Sequence, residues 1–318
     1  MFALLAAGAL CVVGWRHLES SRGVGDTPVL SANQSVKVAA APTPVDRAAE
    51  SLKAAQKAPT RAEKIKLFRG VSRDYESTWA GKRANLELGF ELADSRETRV
   101  EARNAISDGL SACKDAEELR RARSRLEELN EYLVFMPADS TDVVRYEVER
   151  NDSLDLLARR FNTTAEFLRR INGKTNSALH VGDKINVPSR RLNIKVTKSA
   201  FDLEVYYGDY YLKSYKVGIG RNDKTPEGEF VIGLKQKDPD WWPGNGKRIP
   251  HESPQNPLGS RWMGFANKPG ASGFGIHGTK EPDTIGKEAS NGCIRMRNTE
   301  VEELYDMIPV GTKVMIVP

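Results

Sequence analysis

"HGTKEPDTIGKEASNGCIRM", residues 277–296, carries one of the chain's four histidines and one of its three cysteines, sixteen positions apart. A thiol attacks a carbonyl only as thiolate, and a free cysteine is mostly protonated at neutral pH. An imidazole in contact can take that proton and later return it to a leaving amine. "GFGIHG" puts His277 at the end of a short apolar strand, Phe274–Ile276, with Gly275 and Gly278 leaving the backbone open beside it. "SNGCIRM" puts Cys293 on a tight turn after a glycine. Gly292 lets main chain approach a ligand, so the N–H groups of Gly292 and Cys293 are candidates to hold a developing oxyanion. In a strand, Arg295 shares a face with Cys293 and is a candidate to grip a carboxylate. Taken alone, the spacing is equally compatible with a loop histidine and a packed cysteine.

Outward from this stretch, residues 192–318 have β texture. "LNIKVTKSAFDLEVYYGDYYLKSYKVGIG" alternates apolar and polar residues, with Gly208–Asp209 as a hairpin turn. "TPEGEF" (225–230) is a turn feeding a strand over Phe230–Leu234, and "KVMIVP" is a last strand. The long Gly-, Pro- and Trp-rich loops between them are where a β scaffold usually builds a cleft.

Residues 146–188 predict strand–helix–helix–strand. Tyr146–Val148 alternate as a strand, and Asp152 or Ser153 can cap a helix bearing Leu154, Leu157 and Phe161. Thr163 with Glu166 fits a capping box for a second helix, and Ile185–Val187 form the closing strand. From 61 to 136 the pattern is helical: Ile65, Phe68, Val71, Tyr75 and Trp79 recur every three or four residues, as do Leu119, Ala122, Leu126, Leu129 and Leu133. Gly81, Gly89 and Gly109 are expected breaks between antiparallel helices, and Cys113 is expected to pack as a small hydrophobe. Residues 20–60, rich in Ser, Ala, Pro and Val, are expected to be a linker.

The chain opens with an apolar run, Phe2–Trp15. Fourteen residues make about 21 Å of helix, short of the roughly 30 Å hydrocarbon core. That length suits an export signal over 1–19, or an anchor to the inner membrane by residues 2–15. The near balance of 48 Lys+Arg against 43 Asp+Glu, with no basic helix or aromatic-studded basic strand, gives no case for nucleic acid. Three cysteines in separate segments cannot form a disulfide framework or a CxxC zinc site.

Three chemistries fail on order or supply. Papain-like peptidases place Cys before His, whereas no histidine follows Cys293. Zinc peptidases need more histidines than His251 and His277, the two outside the N-terminal segment 1–19 and the 146–188 module. No G-x-S-x-G elbow serves a serine hydrolase.

What remains is a resemblance. His277–Gly278, then Ser290, Gly292, Cys293, Ile294, Arg295 and Met296, together with "TPEGEF" and "NPLGSRWMGF" (256–265), strongly resemble the L,D-transpeptidase catalytic domain (YkuD-like) over 192–318. The resemblance implies Cys293 as nucleophile and His277 as base, Gly292 and Cys293 at the oxyanion, and Arg295, Ser290, Asn291 and Gly278 toward substrate. Asn291 stands where many members carry a second histidine, so His277 alone is the expected base. The resemblance implies no metal or organic cofactor.

"Y-x-V" (146–148), "DSL" (152–154), "IN" (171–172) and "LHVGDKINVP" (179–188) resemble the LysM module over 145–189, which implies binding to N-acetylglucosamine-containing glycan. Asn151 replaces a usual glycine there, which is expected to change the turn. The expected whole is a multidomain α+β protein, exported to the periplasm or cell envelope, that acts on peptidoglycan stem peptides through a thioester. The alternative is a non-catalytic peptidoglycan-binding protein that uses the domain as scaffold.

Overall fold

A computed structural model describes residues 43–136, 141–243, 246–266 and 272–318; the apolar start, with its signal or anchor over 1–19, lies outside them. No helix among the described residues is long and apolar enough to cross a membrane.

The expected linker does not hold for its described part, since α1 spans Pro44–Gln56. Thr43 and Asp46 form a reciprocal capping box with Pro44 in the first turn, and Ala48, Leu52 and Ala55 make a buried stripe. Alanine-rich composition thus encodes a helix, because small residues let it pack closely. Helices α2 (Arg61–Asp74), α3 (Trp79–Leu92), α4 (Arg99–Gly109) and α5 (Ala116–Asn130) follow, and a π turn at Glu131–Phe135 ends the run. The single stripe expected through Trp79 breaks at Tyr75, so Trp79 opens α3 and is exposed. Gly81 and Gly89 are not breaks but lie inside α3. A Cβ at Gly81 would fall 2.0 Å from the Tyr75 carbonyl oxygen, and one at Gly89 would fall 2.4 Å from Ile106. They are crossing points where helices touch through their backbones. Gly109 does end α4.

The next module is β1 (Val143–Glu147), α6 (Leu154–Arg160), α7 (Ala165–Ile171) and β2 (Lys184–Pro188), with β1 and β2 antiparallel. Ser153 caps α6. Thr164, not Thr163, caps α7 by accepting the Phe167 N–H at 3.0 Å; with Phe167 rather than Glu166 at the third helical position, the expected capping box does not form. Asn151 itself adopts φ 71°. Asparagine tolerates this left-handed conformation, so the exchange from glycine keeps a glycine-like turn rather than altering it.

The C-terminal domain is built on β3 (Leu192–Thr197), β4 (Asp202–Tyr207), β5 (Tyr210–Lys216), β6 (Ile219–Gly220), β7 (Gly228–Lys237), β8 (Arg261–Phe265), β9 (Gly275–Gly278), β10 (Glu288–Ser290), β11 (Ile294–Met296), α8 (Asn298–Met307) and β12 (Lys313–Val317). Eight of these strands form one sheet in the order β11-β9-β8-β7-β12-β3-β4-β5, while β10 pairs β6 in a small parallel sheet. The last strand is central: β12 runs parallel to β3 and antiparallel to β7. Fully buried Leu203, Leu212 and Leu304 are examples of the core, each contributing on the order of 2 kcal/mol.

The described residues all fall in one compact unit. The helices cover the open edge of the sheet. Ser107 accepts the Tyr211 N–H at 2.8 Å, and the Asn130 amide donates to the Tyr211 and Leu212 carbonyls at 2.9 and 3.0 Å. An unpaired edge invites strand addition, and α4 and α5 occupy it. Arg123 of α5 pairs with Asp202 at 2.5 Å and also with Glu204. The small module docks on α8 through Arg170–Glu303 at 3.0 Å and a bond from the Thr164 hydroxyl to the Asp306 carbonyl.

Candidate active site

Strands β9 and β11 lie parallel, with Ile294 beside Ile276, Arg295 beside His277 and Met296 beside Gly278. Continuing that register puts Cys293 beside Gly275, and the Gly275 N–H reaches the sulfur. Partners in a parallel pair share a face and alternate residues repeat it. Cys293 and His277 are thus diagonal neighbours on one side of the sheet. Gly275 is the residue that fits opposite the sulfur, because a Cβ there would fall 2.5 Å from the Met263 carbonyl oxygen and 3.0 Å from the Trp262 ring.

The turn before Cys293 is fixed from three directions. Gly292 has φ 129°, a conformation that disfavours any side chain, and a Cβ there would meet Phe274 at 2.2 Å and the Lys224 carbonyl oxygen at 3.0 Å. The buried Thr225 hydroxyl donates to the Gly292 carbonyl at 3.0 Å and accepts the Gly220 N–H at 2.7 Å. Ser290 is 2% exposed; its hydroxyl donates to the Cys293 carbonyl at 2.6 Å and accepts the Gly292 N–H at 3.0 Å.

These bonds correct two expectations. The Gly292 N–H is already engaged by Ser290, so it is not a ready oxyanion donor. Ser290 points into the turn, where its hydroxyl bridges main-chain groups, and does not face substrate. Asn291 is exposed and accepts from the Arg221 guanidinium at 3.1 Å, which orients the loop.

His277 is 3% exposed, and its Nδ1 lies 2.5 Å from the Gly278 carbonyl oxygen. In the tautomer that donates from Nδ1 to that carbonyl, Nε2 is unprotonated and able to accept a proton; the Leu258 carbonyl also faces the ring. The Gly278 carbonyl thus meets the imidazole, and a Cβ on Gly278 would strike the Asn298 side chain at 2.2 Å. The Trp262 indole lies tilted over the imidazole, with ring centroids 5.7 Å apart. Burial pushes the His277 pKa down to about 4 against the partial offset from the Gly278 carbonyl, with Arg295 adding to the depression. Burial pushes the Cys293 thiol up, opposed by the Gly275 N–H and by Arg295. Both groups rest neutral. The sulfur points to the Gly273 carbonyl at 3.8 Å, and no hydrogen bond joins it to His277 among the described residues. Such contacts commonly tighten only when substrate binds.

Cys293 opens onto a cleft of about 250 Å³ walled by Trp241, Trp242, Trp262, Leu258, Gln236 and Asp240. His277 is buried behind that wall. Arg295 is occupied: its guanidinium meets Glu281 at 2.9 Å and Thr284 at 3.4 Å, which braces the 279–287 loop instead of reaching into the cleft. His251 is half-buried and lies 3.4 Å from Asp238. Sequence reasoning assigned no role to Trp262 or Asp240, although tryptophan-rich loops pointed to the region.

The sequence of residues 192–316 matches the family model for the L,D-transpeptidase catalytic domain (YkuD), and residues 146–188 match the LysM domain. Among curated relatives, YqjB of Bacillus subtilis, named as an L,D-transpeptidase, is 45% identical over 124 residues, covering 38% of this chain and 68% of that protein. YkuD of Bacillus licheniformis, named likewise, is 32% identical over 184 residues, covering 55% of this chain and all of that protein. An L,D-transpeptidase structure from Mycobacterium smegmatis is similar at 17% identity and a TM-score of 0.34, over 44% of this chain and 65% of that one. The chain thus spans just under two thirds of that mycobacterial protein.

Proposed function

This chain belongs to the L,D-transpeptidase family with the YkuD-type catalytic domain, and from that premise we propose that Cys293 is the nucleophile of an acyl transfer on peptidoglycan stem peptides. The Cys293 sulfur attacks the carbonyl of the L,D-peptide bond between the third residue and a terminal D-alanine. His277, held by the Gly278 carbonyl, takes the thiol proton through Nε2 and delivers it to the departing amine. The Cys293 N–H is the oxyanion donor of the two first considered. The resulting thioester is resolved by the side-chain amine of a second stem, giving a cross-link, or by water, giving carboxypeptidase activity. No metal or organic cofactor enters this scheme.

The observation that carries the reading is the pairing of β9 with β11, which brings a cleft-facing sulfur and a buried imidazole to one face. A neutral imidazole depressed to about 4 keeps its lone pair at neutral pH, as a base requires. The LysM domain, docked on α8, grips glycan and holds the cleft at a set distance from the strand. Action on peptidoglycan implies a location in the cell envelope.

Product analysis with purified muropeptides tests this. Wild type should yield cross-linked dimers or trimmed stems, and Cys293→Ser neither, while both bind peptidoglycan. Undiminished turnover by Cys293→Ser would end the proposal.

A further inference from the structure

Among the described residues lining the cleft at Cys293, Asp240 is the one carboxylate; its neighbours there are indoles, Leu258, Gln236 and Gly273. Arg248 Nε donates to one Asp240 oxygen at 2.6 Å and the His251 N–H to the other at 3.2 Å. A carboxylate oxygen accepts about two hydrogen bonds, so each oxygen keeps an open position, and the side chain is 29% exposed. An amine acceptor reaches neutral solution as an ammonium ion, which a carboxylate in the cleft attracts. Water carries no charge for it to attract.

We propose that Asp240 is the acceptor-selecting residue of this site: it holds the ammonium of an amine-bearing acceptor beside the Cys293 thioester and so favours transfer over hydrolysis. The inference rests on the acyl-transfer reading above. Trp241 and Trp262 line the same wall, and indoles attract a cation that comes over their faces. In the step itself, the ammonium first gives one proton to solvent. The nitrogen then bonds to the thioester carbon, the carbon–sulfur bond breaks, and the second proton passes by way of His277 to the Cys293 sulfur. The products are an amide, the free thiol and one solvated proton.

The readout is the ratio of transfer to hydrolysis from one donor tetrapeptide stem, which divides out any change in acylation. Two acceptors are compared: a diamino-acid-containing stem, cationic at neutral pH, and hydroxylamine, uncharged there. Asp240→Asn should lower the ratio about tenfold for the cationic acceptor and leave that for hydroxylamine within about twofold. In wild type, raising salt to about 1 M, where the screening length is roughly 3 Å, should depress transfer to the cationic acceptor and spare hydroxylamine. A cationic-acceptor ratio unchanged in Asp240→Asn overturns the assignment. If that variant does not fold, the wild-type salt comparison decides, and equal salt response of the two acceptors overturns it. Absence of any acyl adduct on wild type would instead bring down the underlying reading, and this one with it.

Discussion

Whether Cys293 and His277 rest as a charged pair or as thiol and neutral imidazole can be worked from their surroundings. His277 is driven down to about 4 and the Cys293 thiol above its ordinary value of 9.0. Protonating an imidazole of pKa about 4 at pH 7 costs roughly 4 kcal/mol, and burial opposes the thiolate as well. The neutral pair is therefore the resting state, and less of the sulfur is thiolate at neutral pH than in a free cysteine, which is about 3% ionised. The assay is alkylation by iodoacetamide between pH 5 and 9, followed at the Cys293 peptide so that Cys11 and Cys113 do not contribute. The logarithm of the rate should climb with unit slope and no plateau, and His277→Ala should change it little. A flat, fast rate from pH 5 to 8 that collapses in His277→Ala would refute the reasoning, since it requires a preformed ion pair.

Other consequences follow from the same geometry. A histidine whose folded pKa is depressed from 6.5 to about 4 stabilises the fold fully above 6.5 and progressively less as pH falls toward 4. The loss is on the order of 3 kcal/mol, so urea midpoints of His277→Gln should vary less over that window than those of wild type. Because the base must be unprotonated, the acid limb of kcat/KM should fall near pH 4 to 5 and not near 6.5; a limb at 6.5 would contradict the burial argument. Thr225→Val removes both bonds that pin the nucleophile turn and should cost about 1–3 kcal/mol with slower acylation by a carbapenem, whereas Thr225→Ser should retain most of both.

Much of this site was legible because its chemistry is local in sequence. His277–Gly278 and the Ser290–Met296 run announce a strand end and a tight turn, and both occur. The alternation in 192–216 likewise predicts the hairpin around Gly208 that joins β4 to β5. What stayed hidden depends on distant partners. The final strand is central because β3 and β7 flank it, a pairing that no local pattern encodes. Arg295 looked free to grip substrate because its partner, Glu281, is fourteen residues away in a loop. Ser290 looked like a substrate contact because a hydroxyl beside a nucleophile carries the same letter whether it faces inward or outward. Gly81 and Gly89 signalled breaks because glycine destabilises an isolated helix, while here the neighbouring helix leaves room for nothing larger. Trp262 and Asp240 come together with Cys293 only once β8 and the 238–258 loop are folded.

Above the rest stands the claim that the sulfur at position 293 carries the acyl group. Incubation of the full chain with a tetrapeptide stem or a carbapenem, then proteolysis and mass spectrometry, reads it directly. The acyl mass should appear on the peptide containing Cys293, absent from that containing Cys113 and absent altogether in His277→Ala at short times. Turnover proceeding with Cys293 unmodified, or the adduct mapping to another residue, would contradict the account.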